Sequence, residues 1–110
     1  MERLVKGDVV ITPVPFSDLT SSVKRPALVL ATLKGDNVIL CQITTKQRPD
    51  PYKTNLTIGN FEEGRLNIDS FIMPSILFTI RKSIILYKTG RLKQSKIKEV
   101  EDKVIKIIKR

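Results

Sequence analysis

An arginine followed by a proline is the feature of this sequence with the clearest chemical potential. Arg25 precedes Pro26 and the apolar run Ala27–Leu30. Proline lacks a backbone N–H and biases the residue before it toward an extended conformation, so Arg25 is expected at the mouth of a strand. A planar, permanently charged guanidinium held there suits the recognition of phosphate or carboxylate groups. The alternative is that Lys24 and Arg25 are ordinary solvated loop charges, which are common.

A threonine is expected to lie beside this arginine. The sequence predicts strands over Pro26–Thr32 and Val38–Thr44, separated by the turn residues Lys34–Asn37. In an antiparallel hairpin the end of the second strand returns beside the start of the first. Arg25 and Thr44 are therefore the first pair of reactive side chains that the sequence brings together.

The charge balance points to a polyanionic partner. The chain has 110 residues, which fits a single domain spanning residues 1–110 with one core. It carries 20 lysines and arginines against 11 aspartates and glutamates, a net charge of +9, which is high for a small domain. A nucleic acid, an anionic membrane surface and an acidic protein segment all fit this charge, and a merely lysine-rich surface is the simpler alternative.

Missing residue types exclude several kinds of catalytic site. The chain has no histidine, no tryptophan and one cysteine, Cys41. Cysteine–histidine zinc sites, serine–histidine triads and paired-histidine nuclease sites are therefore excluded, and a single cysteine cannot form an internal disulfide. Because Cys41 lies in the apolar run Val38–Ile43, we expect a buried core thiol and not a nucleophile.

Two polar segments are candidate binding loops. Pro13–Arg25 is rich in proline, serine and threonine, which favours a long loop, and binding residues collect on such loops. Phe16 within it is either a stacking platform for a base or, the more common outcome, a core side chain. Gln47–Lys53 and the preceding Lys46 are basic and include Tyr52, which suits phosphate contacts and base stacking. The alternative is a solvated loop in which Tyr52 packs on proline.

The remaining pattern predicts a small β-barrel with one helix. Strand-like segments recur at the regular spacing typical of small barrels, at Asp8–Thr12, Asn55–Ile58, Leu66–Met73, Ser75–Ile80 and Ser83–Tyr87. Turn residues are expected at Gly59–Asn60 and Glu62–Gly64, and the last strand-like segment is expected to end before Thr89–Gly90. From about Ser95, apolar residues at helical spacing predict an amphipathic C-terminal helix, with Ser95 as its N-cap, packed on the barrel or on a partner.

The sequence favours no membrane association and leaves the cytoplasm as the default location. No apolar run approaches the ~20 residues of a membrane span, and the first residues lack the apolar segment of a signal peptide. A membrane-surface helix is disfavoured because Glu99, Glu101 and Asp102 lie on the polar face of the C-terminal helix, where an anionic lipid surface would repel them.

Five short motifs follow one another along nearly the whole chain. They are Gly7–Val10, Lys24–Leu30, Gln42–Thr45, Asp69–Ile72 with Leu77–Ile80, and Thr89–Leu92. In this order and spacing they resemble the MazF/PemK toxins of type II toxin–antitoxin systems. The corresponding family motifs are a Gly-Asp strand start, an Arg-Pro-apolar strand, an Ile-Thr-Ser/Thr strand end, an Asp-Ser strand with a Thr-Ile segment beyond it, and an Ile-Gly-x-Leu helix start.

The resemblance implies a mainly β fold, an SH3-like or CcdB-like β-barrel with a C-terminal helix, working as a homodimer. It also implies a metal-independent, cofactor-free endoribonuclease that cuts single-stranded RNA within a short sequence. The family's catalytic arginine and threonine correspond to Arg25 and Thr44. The RNA 2′-hydroxyl would attack the adjacent phosphorus, leaving 2′,3′-cyclic phosphate and 5′-hydroxyl ends. Arg25 would stabilise the charged phosphate, and Thr44 would hydrogen-bond a phosphate oxygen or the 2′-hydroxyl.

Loop composition and the family motifs together give the candidate RNA-binding residues. These are Phe16, Lys24, Thr45, Lys46, Arg48, Tyr52 and Ser70. The family also implies an antitoxin partner, whose acidic, partly disordered segment would cover the basic groove in competition with RNA. Four positions depart from the family's frequent residues, so the cleavage sequence is not implied: Lys46, Ser75, Ile76 and Phe78.

Two other functions remain open on the sequence alone. A non-catalytic, CcdB-like barrel that inhibits a protein target such as DNA gyrase would share the fold and need no Arg25–Thr44 pair. A basic nucleic-acid-binding module would bind RNA or DNA with an affinity that falls steeply with salt, and would leave the nucleic acid intact.

Replacing Lys46 and Arg48 by glutamate is expected to weaken binding of both RNA and the antitoxin. Both ligands are anionic, so the reversed charges repel them. Titration of each ligand with the variant and with wild-type protein measures the change. Unchanged affinity for both would remove this loop from the site.

Overall fold

The computed structural model describes residues 3–14, 23–47 and 49–110, and of Val14 the backbone alone. Within these residues the fold is mainly β, as the sequence predicts, with seven antiparallel strands in one curled half-barrel sheet and one helix. The strands are β1 (Asp8–Val14), β2 (Val23–Thr32), β3 (Asn37–Thr44), β4 (Thr54–Leu56), β5 (Phe61–Gly64), β6 (Ser70–Arg81) and β7 (Tyr87–Leu92), and the helix is α1 (Gln94–Ile108). Their order across the sheet is β4-β6-β3-β2-β1-β7-β5. Two short 3₁₀ turns span Ile58–Asn60 and Lys82–Ile84.

Alternation along the strands gives the sheet two different faces. Side chains of successive residues point to opposite faces, so Val9 and Val10 belong to different cores. The first face packs against α1 through Ile97, Val100 and Val104. The second face has its own apolar cluster, formed by Leu4, Val10, Ala27, Val29, Val38, Leu40 and Ile85. Burial of each such side chain contributes about 1.5–3 kcal/mol to stability. The two apolar clusters therefore stabilise the strand pairing that places them on their faces.

A buried carboxylate ties the N-terminal strand to β7. The Asp8 side chain is fully buried and accepts hydrogen bonds from the Val5 N–H at 2.8 Å and from Arg91 Nε at 3.0 Å. Lys88 Nζ lies 3.3 Å from the same carboxylate and 3.3 Å from Glu63 of β5. The hydrogen bond to Asp8 raises the pKa of the Arg91 guanidinium. A buried charge needs such partners, so these contacts join β1, β7 and β5.

Strands β1 and β2 extend farther than the prolines predicted. The sequence predicted a loop from Pro13 to Arg25, but Pro13 pairs with Lys24 near the end of the β1–β2 ladder. The pairs between β1 and β7 stop before Pro13. Pro13 therefore has a strand partner on one side only. On its other side, the missing N–H removes no ladder hydrogen bond.

Pro26 is accommodated in the same way, which changes the predicted position of Arg25. The pairs between β2 and β3 begin at Ala27, so Pro26 pairs with β1 alone. Arg25 is the third residue of β2 and lies opposite Thr12, and is thus inside the strand and not at its mouth. Residues 15–22, including Phe16, lie outside the described residues.

One predicted turn is a strand because its partner was not visible in the sequence. Glu62–Gly64 belongs to β5, and Thr89–Gly90, which was expected to lie beyond the last strand, belongs to β7. Gly64 has φ +68° and pairs with Gly90, and a side chain at either position would collide with the backbone of the other strand. The two glycines therefore permit a close approach of β5 and β7.

The end of the chain differs from the prediction in detail. Ser83 and Ile84 lie in a 3₁₀ turn and not in a strand, and β7 begins only at Tyr87. Helix α1 begins at Gln94 with Lys93 at its N-cap, so the prediction that Ser95 caps the helix is wrong. The Lys93 N–H donates to the Asn60 carbonyl at 2.8 Å. This hydrogen bond fixes the backbone at the residue that precedes the helix. No described helix is long and apolar enough to cross a bilayer.

Asp8→Ala is expected to lower the free energy of unfolding by about 3 kcal/mol. Removing one partner of a buried ion pair costs about 3–5 kcal/mol, and Lys88 and Arg91 keep some solvation, which favours the lower end. Urea unfolding followed by circular dichroism measures the loss, since the chain has no tryptophan.

The matched control is Lys6→Ala. Lys6 pairs with Glu101 at 2.6 Å, and both side chains are exposed, so its loss should cost less than about 1 kcal/mol. Equal stability losses in the two variants would contradict a central role for Asp8.

Candidate functional site

A row of neighbouring side chains crosses five strands at one end of the sheet. Thr12 pairs with Arg25, and Phe71 pairs with both Thr44 and Asn55. The last recorded pair of β2 and β3 is Ala27 with Gln42, and Arg25 and Thr44 each lie two residues beyond it, on neighbouring strands and on the same face of the sheet. We call these five residues the site row: Thr12, Arg25, Thr44, Phe71 and Asn55.

The site row faces away from α1. Directly opposed residues of an antiparallel pair point to the same face, and so do residues two apart in one strand. Two residues from Thr12 and Arg25 lie Val10 and Ala27, which belong to the core cluster on the face opposite the helix. The row therefore continues this face beyond its apolar core, where polar groups replace apolar ones.

Arg25 is half-buried, with its backbone fixed by the ladder to β1. Backbone anchoring and the restriction imposed by Pro26 limit the directions that its guanidinium can take. Its planar fork can offer two parallel N–H donors to phosphate oxygens. Arg25 and Thr44 lie on neighbouring strands, two residues beyond the last recorded pair of β2 and β3, and their contact and their catalytic roles stay predictions.

Thr44 ends β3 and has only 5% of its surface exposed. Its Oγ1 accepts a hydrogen bond from the Lys46 N–H at 3.1 Å. A hydroxyl has one donor and two acceptor positions, so its proton can still be donated to an oxygen pressed against the sheet. Thr44 thus holds the start of the following loop and presents one donor to the site row.

The remaining RNA-binding candidates are distributed around this row. Thr45 and Lys46 are exposed just beyond β3. Lys24 is exposed and alternates with Arg25, so it lies on the other face at the rim of the sheet. Ser70 is 4% exposed and donates to the Ile68 carbonyl at 2.9 Å, also on the other face from Phe71. Arg48, like Phe16, lies outside the described residues.

Tyr52 is held by residues from two other parts of the chain. Its N–H donates to Asp50 Oδ1 at 2.8 Å, and Asp50 Oδ2 accepts from Ser75 of β6 at 3.1 Å. Arg110 donates to the Tyr52 hydroxyl, and its guanidinium lies 6.0 Å from the ring centroid. Tyr52 therefore contacts the end of the chain and is half-buried. Its stacking on RNA stays a prediction.

Sequence reasoning did not single out Phe71, Asn55 and Lys53. Lys53 Nζ lies 4.5 Å from the centroid of the Phe71 ring, which places a cation within the site row. Phe71 lies within a motif that resembles the family, but only the pairing of β6 with β3 brings it next to Thr44. Strand alternation in the predicted segment Leu66–Met73 could have assigned Phe71 to the face opposite Ile72, but not its neighbours across the sheet.

Cys41 does not take part in any chemistry of this site. It is fully buried, and burial raises the pKa of its thiol to about 12. Its Sγ donates to the Met73 carbonyl at 3.1 Å. The thiolate is the nucleophilic form, so the prediction of an inert core thiol is confirmed. Among the described residues, no three acidic or cysteine side chains are grouped as metal ligands.

Comparison with known proteins agrees with this geometry. Residues 5–108 match the model of the PemK-like, MazF-like toxins of type II toxin–antitoxin systems. No curated protein matches the chain.

Solved structures share the fold at low sequence identity. A Mycobacterium tuberculosis toxin, MazF-mt6, has a TM-score of 0.73 at 19% identity, with 93% of this chain and 96% of that chain covered. MazF from Deinococcus radiodurans has a TM-score of 0.71 at 17% identity, with 96% of each chain covered. A mycobacterial endoribonuclease in complex with its cognate antitoxin has a TM-score of 0.76 at 11% identity, with 97% and 96% covered. The family model spans most of the chain, and the chain accordingly belongs to the PemK/MazF family of type II toxin–antitoxin toxins.

Proposed function

We propose that this toxin is a metal-independent endoribonuclease that cleaves single-stranded RNA within a short sequence, with Arg25 and Thr44 at the reacting phosphate. The observation that supports the proposal is the order of the strands, since Arg25 of β2 and Thr44 of β3 lie two residues beyond the Ala27–Gln42 pair, on the face away from α1. Similar solved structures that are described as endoribonucleases support it.

The proposed reaction uses the nucleophile that RNA already contains. The 2′-oxygen forms a bond to the adjacent phosphorus, and the bond from phosphorus to the 5′-oxygen of the next nucleotide breaks. The products are a 2′,3′-cyclic phosphate and a 5′-hydroxyl end, to which the proton is returned. The protein must align the attack and stabilise charge on the phosphoryl oxygens.

The two side chains divide this work according to their chemistry. Arg25 gives charge-assisted, bidentate hydrogen bonds to the phosphoryl oxygens. A guanidinium stays protonated in proteins and is a poor general base, so charge stabilisation is its assigned role. The Thr44 hydroxyl accepts from the Lys46 N–H and keeps its own proton, which it would donate to a phosphoryl oxygen or to the 2′-oxygen.

The proposed docking surface for an antitoxin is the set of exposed cations near the site row. A mycobacterial endoribonuclease of similar fold is described with its cognate antitoxin, and a Deinococcus radiodurans structure contains MazE with MazF. For this chain we assign an acidic, partly disordered antitoxin segment that competes with RNA for exposed cations such as Lys24 and Lys46. We propose that the toxin works in the cytoplasm, where its proposed RNA substrate is found, and cell fractionation checks this location.

Treatment of varied RNA with purified protein in EDTA is expected to give cleavage with 2′,3′-cyclic phosphate and 5′-hydroxyl ends. Arg25→Ala should lower the rate by at least ~100-fold, the scale of losing one electrostatic stabiliser. Lys34→Ala is the control, since Lys34 is an exposed turn residue at the opposite end of the β2–β3 hairpin. End mapping and single-turnover rates provide the measurements.

Each result has a separate meaning. RNA left intact across varied sequences would reject the proposed function, and gyrase inhibition by the same protein would select the CcdB-like alternative. Cleavage by Arg25→Ala at a near wild-type rate would reject the assigned site but not the activity.

The toxin is further proposed to work as a homodimer. Exposed apolar side chains lie on α1 and on β6, against which α1 packs, including Ile105 (43% exposed) and Leu77 (38%). Size-exclusion chromatography with light scattering should give twice the 12.5 kDa mass of one chain. Ile105→Glu should shift the mass toward the monomer, whereas Ile58→Glu, in an exposed 3₁₀ turn, should not. A monomeric wild-type mass would contradict the homodimer.

A further inference from the structure

An aromatic ring and an amine lie beside the candidate catalytic pair. Phe71 is paired with Thr44 on one side and with Asn55 on the other. Directly opposed residues of an antiparallel pair have Cβ atoms about 4.5–5.5 Å apart, so the Phe71 side chain begins one strand spacing from Thr44. Lys53 Nζ is 4.5 Å from the ring centroid.

The burial of Phe71 differs from that of its neighbours in β6. Ser70 and Ile72 are buried on the face that packs against α1, whereas Phe71 is half-buried on the opposite face. A ring needed only to fill the core would be expected among the buried side chains. A partly exposed ring beside a phosphate-binding residue is the arrangement that single-stranded nucleic-acid sites use.

The backbone that carries Lys53 is held from the helix side. Lys103 Nζ donates to the Lys53 carbonyl at 3.4 Å. The next residue, Thr54, is buried, accepts a hydrogen bond from Lys96 Nζ at 2.9 Å and donates to Glu99. The hydrogen bond from Thr54 lowers the pKa of Glu99, so this carboxylate is charged at neutral pH and the link persists. Helix α1 thereby fixes the start of the edge strand β4. Lys53, the residue just before β4, is held in position over the Phe71 ring.

We propose that Phe71 and Lys53 form a subsite for the nucleotide next to the scissile phosphate. A base stacks on the Phe71 ring, and the Lys53 ammonium moves from the ring to a neighbouring phosphate. Base–aromatic stacking and phosphate contacts from cations are the interactions by which proteins bind single-stranded nucleic acid, and Phe71 and Lys53 provide one of each. This subsite rests on the proposed function, and it adds a binding element that the Arg25–Thr44 pair does not supply.

The chemistry of the subsite defines its contribution to recognition. Every base has a π-face, so stacking on Phe71 strengthens binding without reading the sequence. Lys53 contributes a salt-dependent phosphate contact that is also independent of sequence. The subsite therefore holds the strand in position, and the choice of cleavage sequence belongs to other contacts.

Binding of a 2′-O-methyl oligoribonucleotide that spans a mapped cleavage site tests the subsite, because its blocked 2′-oxygens cannot attack phosphorus. Phe71→Leu should weaken binding about tenfold, the loss expected for one stacked base. Phe71→Tyr keeps the ring and should remain within about twofold of wild type. Lys53→Gln should reduce the slope of log K against log salt by about 0.7, the value for one phosphate contact on a single strand, and Lys53→Arg should retain it.

Matched controls separate recognition from stability. Phe78→Leu makes the same change in the same strand, but Phe78 packs against the core cluster that includes Leu40. It should lower stability and leave oligonucleotide affinity and the salt slope unchanged. Lys34→Gln is the corresponding control for Lys53→Gln.

The outcomes distinguish the subsite from the activity on which it rests. Cleavage by wild-type protein together with unchanged affinity in Phe71→Leu, or equal loss in Phe71→Leu and Phe71→Tyr, overturns the subsite alone. An unchanged salt slope in Lys53→Gln overturns the role of Lys53. A wild-type protein that cleaves no RNA overturns the proposed function and the subsite with it.

Discussion

The pairing of β3 with its two neighbours is the constraint on which the site depends. β3 lies between β2 and β6 and carries Thr44 at its end. A slip of one residue in this pairing would turn Thr44 to the helix side and separate it from Arg25. The register between β3 and β6 shifts at a bulge, where Cys41 pairs with Leu77 but Gln42 pairs with Met73. The bulge takes up Pro74, which has no N–H to give to a ladder, so the segment beyond it pairs regularly through Thr44 and Phe71.

The two faces of the sheet have separate tasks. The helix side carries the larger apolar cluster and the links from α1 to β4 through Lys96, Thr54 and Glu99. The opposite face has a smaller cluster and then the site row. Because the supporting contacts lie on one face and the candidate reactive groups on the other, the backbone under the site is fixed without occupying its surface. This is the preorganisation that electrostatic catalysis requires.

Local patterns predicted what local interactions decide. The apolar run around Cys41, the turn at Lys34–Asn37 and the helical spacing after Gln94 each report burial or backbone preference within a few residues. The mainly β fold, the β2–β3 hairpin and the buried thiol followed from these patterns. The proximity of Arg25 to Thr44 could be inferred as well, since a hairpin relates its two strands by geometry alone.

Features set by distant partners could not be predicted in this way. Glu62–Gly64 is polar and contains glycine, yet it forms a strand because Gly90 of β7 permits a close approach. Phe71 and Lys53 meet only because β4 and β6 pair at the edge of the sheet. Prolines 13 and 26 indicated strand ends, but each lies where the chain has a partner on one side alone. In every case the missing information was which strand lies next to which.

The lengths of the outermost strands have a consequence for assembly. β4 and β5, at the two edges of the sheet, have three and four residues. β4 pairs with only Ser70–Ile72 of the twelve-residue β6, so beyond β4 the edge of the sheet is formed by β6 itself. A strand edge of this length is where a peptide or a second chain can add a strand. Because side chains alternate between the two faces along β6, a strand added there would meet both faces of the sheet at once.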